Sequence, residues 1–313
     1  MRKSEAYFLR VAASSEDLAA PVAEILRQHH PTLQPQTMII APPQEYAIVR
    51  QNRLFTLKYG QRTTPERTLI FGEDRLLVIE KQPDSTLAET IIPFDQLVQV
   101  EMAVILLYSY VSFTWLAGDV RKTLKIEYNS VGDSIIRVEL QRLWMTMRCP
   151  ESDLGGLASP DWTAILNALP LKFGNYLQYA LFPGEPVLQV IFQPTISHAR
   201  RSRRSRFAED RTLALTPEGL IVLEEARHVM HYGMIIRYFP LKSIRQIRFE
   251  PTGDQVWLRL SSGAAETDEI AAVPLSERNA VLLHEALLPF TSSTAILWAT
   301  EAMLSPTELS GSR

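Results

Sequence analysis

"ERTLIFGEDRLLVIE" (Glu66–Glu80) and "DRTLALTPEGLIVLE" (Asp210–Glu224) read as one hairpin written twice, 144 positions apart (66 against 210). Arg67, Thr68 and Leu69 match Arg211, Thr212 and Leu213, and Leu76, Val78 and Glu80 match Leu220, Val222 and Glu224. The turn letters differ, Gly72-Glu73-Asp74 against Thr216-Pro217-Glu218-Gly219, yet both are turn chemistry between two apolar strands. A duplicated hairpin implies an internal repeat that extends into the flanking sequence of both copies.

The echo continues in "IPFDQLVQVEM" (Ile92–Met102) and "FPLKSIRQIRF" (Phe239–Phe249), now 147 apart (93 against 240), with Pro93, Phe94, Leu97 and Val100 facing Pro240, Leu241, Ile244 and Ile247. Each proline is expected to open a short segment with apolar residues three apart that runs into an alternating strand, and it suits a strand's first residue or edge, where no ladder donor is required. "MAVILLYSYVSFTWLAG" (Met102–Gly118) carries no charge, but it is shorter than the ~20 residues of a spanning helix and is rich in strand formers, so it reads as a buried strand or strand pair.

Helical periodicity closes both copies. Ser159-Pro160-Asp161 opens a helix through Trp162, Ile165, Leu166 and Leu169 up to Pro170, and Ser276 caps Glu277–Leu288 up to Pro289. A further helical pattern follows each, at Phe173, Leu177, Ala180 and Leu181, and at Ile296, Ala299 and Met303. By this alignment the two prolines stand only 119 apart (170 against 289), so the first copy would carry 28 extra residues before its helix.

Consecutive short strands ending in an amphipathic helix must bury the apolar face of a sheet and cap it. The residues of each half, "RTLIFGEDRLLVIE", "IPFDQLVQV" and "LLYSYVSFTWLAG" with "LKIEYNSVGDSIIRVEL" in the first, and "FPGEPVLQVIFQ", "RTLALTPEGLIVLE" and "FPLKSIRQIRF" in the second, resemble the bacterial pleckstrin-homology-like (PH-like, including GRAM-like) domains. The resemblance implies an α+β, mainly β fold: two tandem antiparallel PH-like barrels, each closed by a C-terminal helix, with an added N-terminal helix. The expected organisation is an extension over 1–43, PH-like domains over 44–182 and 183–303, and a flexible tail over 304–313. Within the extension a helix is expected over about Ser15–His29, starting late or kinking at Pro21, and packing on a barrel or the seam.

Composition narrows the function classes. Hydrophobic residues at 46% against 21% charged describe a chain that buries ordinary cores, and 32 basic against 35 acidic residues leave a net charge of −3, so any attraction to a polyanion must be local. One cysteine, Cys149, excludes an intrachain disulfide framework and fits a reducing cytosol. The N-terminal basic residues are soon interrupted by Glu5, Arg10, Glu16 and Asp17, which is not a signal-peptide pattern. A cytoplasmic location is expected, peripheral at the membrane if a surface docks there.

No hydrolase elbow, phosphate loop, dinucleotide fingerprint or zinc-protease helix occurs, and the reading is non-enzymatic, with no catalytic residue, metal or cofactor assigned. The histidines His228 and His231 lack further ligands at an evident spacing. A hydrolase would need them to converge with His198 and nearby acids.

The one strong local charge is "SHARRSRRSRF" (Ser197–Phe207), with Arg200, Arg201, Arg203, Arg204 and Arg206 in seven residues. It is expected in the loop joining the first two strands of the second barrel, the connection that the resemblance associates with phosphorylated headgroups; guanidinium forks suit phosphate. The first copy's "KYGQRTTPER" spreads Lys58, Arg62 and Arg67 instead. The partner class is an anionic lipid headgroup or an acidic protein. Nucleic acid is disfavoured because no aromatic residues interleave with the arginines. The alternative is a protein-interaction or self-assembly module, a homo-oligomer included, whose contact residues would be Tyr108, Tyr110, Phe113 and Trp115.

Overall fold

The computed structural model describes residues 7–51, 56–147, 162–200, 203–225, 233–263, 268–290 and 294–298. The chain divides into two compact units, Met1–Met147 with His228–Ile235, and Arg148–Arg227 with Ile236–Arg313. The fold is mainly β, and no sheet closes into a barrel among the described residues. No helix among them is long and apolar enough to cross a membrane.

The first unit runs β1 (Arg10–Ala12), α1 (Ala20–His29), β2 (Thr37–Ala41), β3 (Glu45–Gln51), β4 (Thr56–Thr63), β5 (Arg67–Phe71), β6 (Arg75–Lys81), β7 (Leu87–Pro93), β8 (Leu97–Ile105), β9 (Tyr108–Ala117), β10 (Val120–Tyr128) and α2 (Asp133–Thr146). Strands β1-β2-β5-β6-β7 form one antiparallel sheet, β3-β4 a separate hairpin, and β8-β9-β10 a meander. The second unit supplies α3 (Trp162–Ala168), α4 (Leu171–Ala180), β11 (Gln189–Gln193), β12 (Ile196–Arg200), β13 (Arg203–Ala208), β14 (Arg211–Leu215), β15 (Gly219–Glu225), most of β16 (Met234–Pro240), β17 (Gln246–Thr252), β18 (Gln255–Ser261), β19 (Glu269–Ser276), α5 (Glu277–Leu287) and β20 (Ala295–Trp298). Here β11-β14-β15-β16 are neighbours, β12-β13 form a hairpin, and β19-β18-β17-β20 make a further sheet in which β20 runs parallel to β17.

The two units therefore repeat one element order, and the register repeats with it. Arg67 pairs with Glu80 across β5 and β6 as Arg211 pairs with Glu224 across β14 and β15. The turn hydrogen bonds correspond too: Gly72 N donates to Arg75 O as Thr216 N does to Gly219 O, and Phe94 N to Asp74 O as Leu241 N does to Glu218 O. In the meanders, Met102 faces Val111 and Val111 faces Ile126, while Phe249 faces Leu258 and Leu258 faces Val273. Each pair lies 147 positions from its counterpart (102 against 249, 126 against 273), so no residue is inserted between the middle strands of the two copies.

The expected 28-residue excess before the first closing helix is thereby corrected. The helix that follows the first meander is α2, whose buried Ile136, Leu140, Leu143 and Trp144 recur at helical spacing and whose entry is turned by Asn129 accepting from Val131 N. The β-branched "SIIRV" obscured that period. Pro93 and Pro240 are the last residues of β7 and β16, and each leads into a 3-10 turn, the short segment expected ahead of the alternating strands β8 and β17. The helical pattern expected over Ile296, Ala299 and Met303 is replaced by the strand β20 at its first residue, while Ala299 and Met303 lie outside the described residues.

Strand alternation divides the side chains between two faces. In the second unit Ile191, Leu213, Leu215, Leu220, Val222, Ile247, Phe249, Leu258, Leu260, Val273 and Leu275 share one core with Ala280, Leu283 and Leu287 of α5. The opposite face of β11-β14-β15 is met by α4, where Phe173 packs on Phe192 with ring centroids 5.3 Å apart and the Tyr238 hydroxyl donates to Ala180 O at 2.9 Å. In the first unit α1 does the same for β2-β5-β6, with Val22 and Leu26 against Met38, Ile40, Ile70, Leu77 and Ile79. The expected late start of that helix is observed: Ser15–Asp17 forms a 3-10 turn capped by Ser14, and Pro21 falls in the first turn of α1, where its missing N–H is harmless.

Candidate interaction sites

The arginine run lies on a two-stranded hairpin rather than a loop. Arg200 in β12 pairs with Arg203 in β13, Ala199 with Arg204 and Ser197 with Arg206; Arg201 lies outside the described residues. Because β11 and β14 are hydrogen-bonded neighbours, the segment between them must leave and return to the same sheet, and pairing with itself satisfies its backbone. Arginine's weak strand preference gave no notice of this. The counterpart in the first unit is the whole β3-β4 hairpin between β2 and β5, which carries Arg50 and Lys58 besides Arg62.

The four residues named for protein contact divide by alternation. Phe113 and Trp115 lie in the core, 1% and 5% exposed, whereas Tyr108 and Tyr110 are half-buried on the outer face of the meander. That outer face carries a cluster that sequence reasoning missed. Arg62 makes a two-pronged ion pair with Glu127, both nitrogens 2.5 Å from carboxylate oxygens, and the Tyr108 hydroxyl donates to the same carboxylate at 2.5 Å. The Tyr46 ring meets Tyr108 edge-on at 4.9 Å and lies under the Arg62 guanidinium at 5.1 Å. Lys125 Nζ sits 3.8 Å from the centroid of Tyr110, whose hydroxyl donates to Glu101 at 2.6 Å. The signal available was alternation alone: 108 and 110 on β9, 125 and 127 on β10, and 101 on β8 share a face once the register is known.

Burial would raise the Glu127 pKa, but hydrogen bonds from Arg62 and Tyr108 and the charges of Arg62 and Lys125 hold it down at about 2. Burial, then the Glu127 charge, pushes the Tyr46 hydroxyl up to about 12, and burial, then its hydrogen bond to Glu127 and the charge there, raises Tyr108. The cluster is thus charge-paired internally.

Asp133, in the first turn of α2, behaves oppositely. Burial pushes its carboxyl up to about 6 although the Ser109 and Tyr128 hydroxyls act to lower it. A raised carboxyl pKa favours the protonated folded state, so this contribution is complete below the ordinary 3.8 and is lost as pH rises through about 6. The full shift corresponds to about 3 kcal/mol, and the partial exposure of the group reduces it to about 1–2 kcal/mol. Asp133→Asn is expected to stabilise the first unit by about that amount at pH 8 and to make no difference near pH 4. Denaturant titrations at the two pH values check it; an equal effect at both refutes the assignment. Glu127, with its lowered pKa, contributes above 4.5 and loses its contribution as pH falls toward about 2.

Among the described residues no group of three His, Cys, Asp or Glu side chains is placed to hold a metal ion. His228 and His231 lie outside the described residues, and His198 falls in β12. No family model matches the chain, and no curated protein matches it significantly in sequence.

Proposed function

We propose that the chain is a non-enzymatic binding protein built from two PH-like units, the second of which docks on an anionic lipid surface through the arginines of the β12-β13 hairpin. The observation that carries this reading is four arginines, Arg200, Arg203, Arg204 and Arg206, on a hairpin that stands between two adjacent strands of a sheet, within a run of five in the sequence. The corresponding β3-β4 hairpin carries Arg50, Lys58 and Arg62 spread out, the last engaged by Glu127, so the dense charge belongs to the second unit. The repeated strand order, with a helix after each meander, supports the PH-like assignment.

Each basic residue near an anionic surface contributes about 1 kcal/mol, less in salt. Changing Arg200, Arg201, Arg203, Arg204 and Arg206 to serine is expected to lower sedimentation with phosphatidylglycerol vesicles by about tenfold or more at low salt. Unchanged binding, or no binding by the natural chain, removes the proposal; retention instead by an acidic protein matrix would assign the hairpin to a protein partner.

A further inference from the structure

We propose that the Leu106–Leu107 hairpin tip of the first unit inserts into the interfacial layer of a lipid bilayer. Strands β8 and β9 are joined by these two residues alone, and their side chains are 75% and 67% exposed. Leu107 also holds φ at +62°, a left-handed conformation that a β-carbon disfavours. The turn at the same place in the second unit, 147 positions on, is Gly253-Asp254, where the positive φ of +64° falls on the first of the two residues, a glycine, and not on the second as in the first unit. A polar, relaxed turn therefore fits this place in the repeat, and the first unit instead carries both backbone strain and exposed apolar surface. Strain concentrated with exposure marks a functional position.

The surroundings are layered as a bilayer interface is. Val131, 65% exposed, lies in the turn after Tyr128, the strand partner of Ser109, and so leaves the meander at the end where the tip stands. Tyr108, edge-on to Tyr46, comes one residue behind the leucines, and Tyr110 with Lys125 over its ring comes two residues further. Apolar tip and then aromatic rings is the order of acyl chains and headgroup boundary, while the cations behind them, Arg62 and Lys125, are matched by Glu127 and Glu101 on the same face, so apolar insertion rather than charge is what the tip offers. A convex two-residue tip suits a fluid interface, which requires no shaped receptor. This inference does not depend on the arginine hairpin.

The test uses the full chain with Leu106→Cys in a Cys149→Ser background, labelled with an environment-sensitive fluorophore. Equimolar phosphatidylcholine and phosphatidylglycerol vesicles are expected to shift its emission to the blue. Leu106→Gly with Leu107→Asp, the second unit's own turn, is expected to lower vesicle partitioning about fivefold at high salt, where arginine attraction is screened, without lowering the thermal midpoint. Emission unchanged on vesicles, or partitioning unaltered by the double substitution, overturns the proposal. Shielding only by cell extract would mark a protein pocket and overturn it equally. Binding that loses its salt dependence when the arginines become serine, with the blue shift unaltered, supports the tip; binding at low salt without any blue shift supports the arginine hairpin and sinks the tip alone.

Discussion

Replacing Glu224 with alanine is expected to destabilise the second unit by about 3 kcal/mol or more, whereas the same change at its first-unit counterpart Glu80 costs about 1 kcal/mol. The two glutamates hold the same place in the repeat, opposite Arg211 and Arg67. Their surroundings differ. The Arg211 side chain is only 6% exposed, and Glu224 accepts from it at 3.0 Å and from Arg237 at 2.8 Å, so removing one carboxylate takes the counter-charge from two guanidinium groups, one of them buried. Arg67 is more open, bonds Glu80 at 2.6 Å and also donates to the Lys125 carbonyl at 2.7 Å, which persists after the substitution along with access to water. Desolvation of the Arg211 guanidinium, more deeply buried than that of Arg67, rather than loss of attraction sets the difference. Hydrogen exchange on β5 and β14 during denaturant titration separates the two units. Equal losses in both would refute the burial argument.

The paired letters that made the repeat legible were these same residues. Arg67 with Glu80, and Arg211 with Glu224, stand at the two ends of the quoted hairpins because a two-strand register with a short turn places them face to face. The apolar letters between them report burial, which is why Leu69, Leu76 and Val78 and their counterparts were readable as core. The outer helices were legible only in part. The periodicity of 173, 177 and 180 was visible, but nothing in it said that α4 would cover the second unit's sheet, as α1 covers the first. Covering depends on which apolar sheet face lies nearby after folding, and that is tertiary information. The exposed Leu106 and Leu107 were hidden inside an uncharged run; only the pairing of Ile105 with Tyr108 turns two core-like letters into a hairpin tip. The cluster around Glu127 was hidden for a related reason, since Arg62 and Glu127 lie 65 positions apart and meet through two different hairpins. Charged residues on strands carry little positional information until the register is fixed.

Phe249→Ala is expected to produce the largest loss of all, about 3–5 kcal/mol, and to release β20 before the rest of the second unit unfolds. Phe249 is fully buried in β17, stacked at 5.2 Å on Trp298 of β20, with the His284 ring edge-on to both at 5.4 Å. Burial of a phenylalanine and its aromatic contacts accounts for the magnitude, and the cavity adds to it because β17 is fixed by β18 on its other side. Local release follows from how little else among the described residues holds β20. It is a four-residue edge strand in parallel pairing, anchored at its start by Ala295 N donating to Arg245 O and by the Thr294 hydroxyl donating to Ile244 O, and farther on by the ring stack. Trp298→Ala should accordingly cost only about 1–2 kcal/mol, the tryptophan being half-buried, yet expose the amides of β20 to exchange as Phe249→Ala does. If the β20 amides stay protected in Trp298→Ala, backbone pairing rather than the aromatic stack holds this edge, and the separate release expected for Phe249→Ala fails with it.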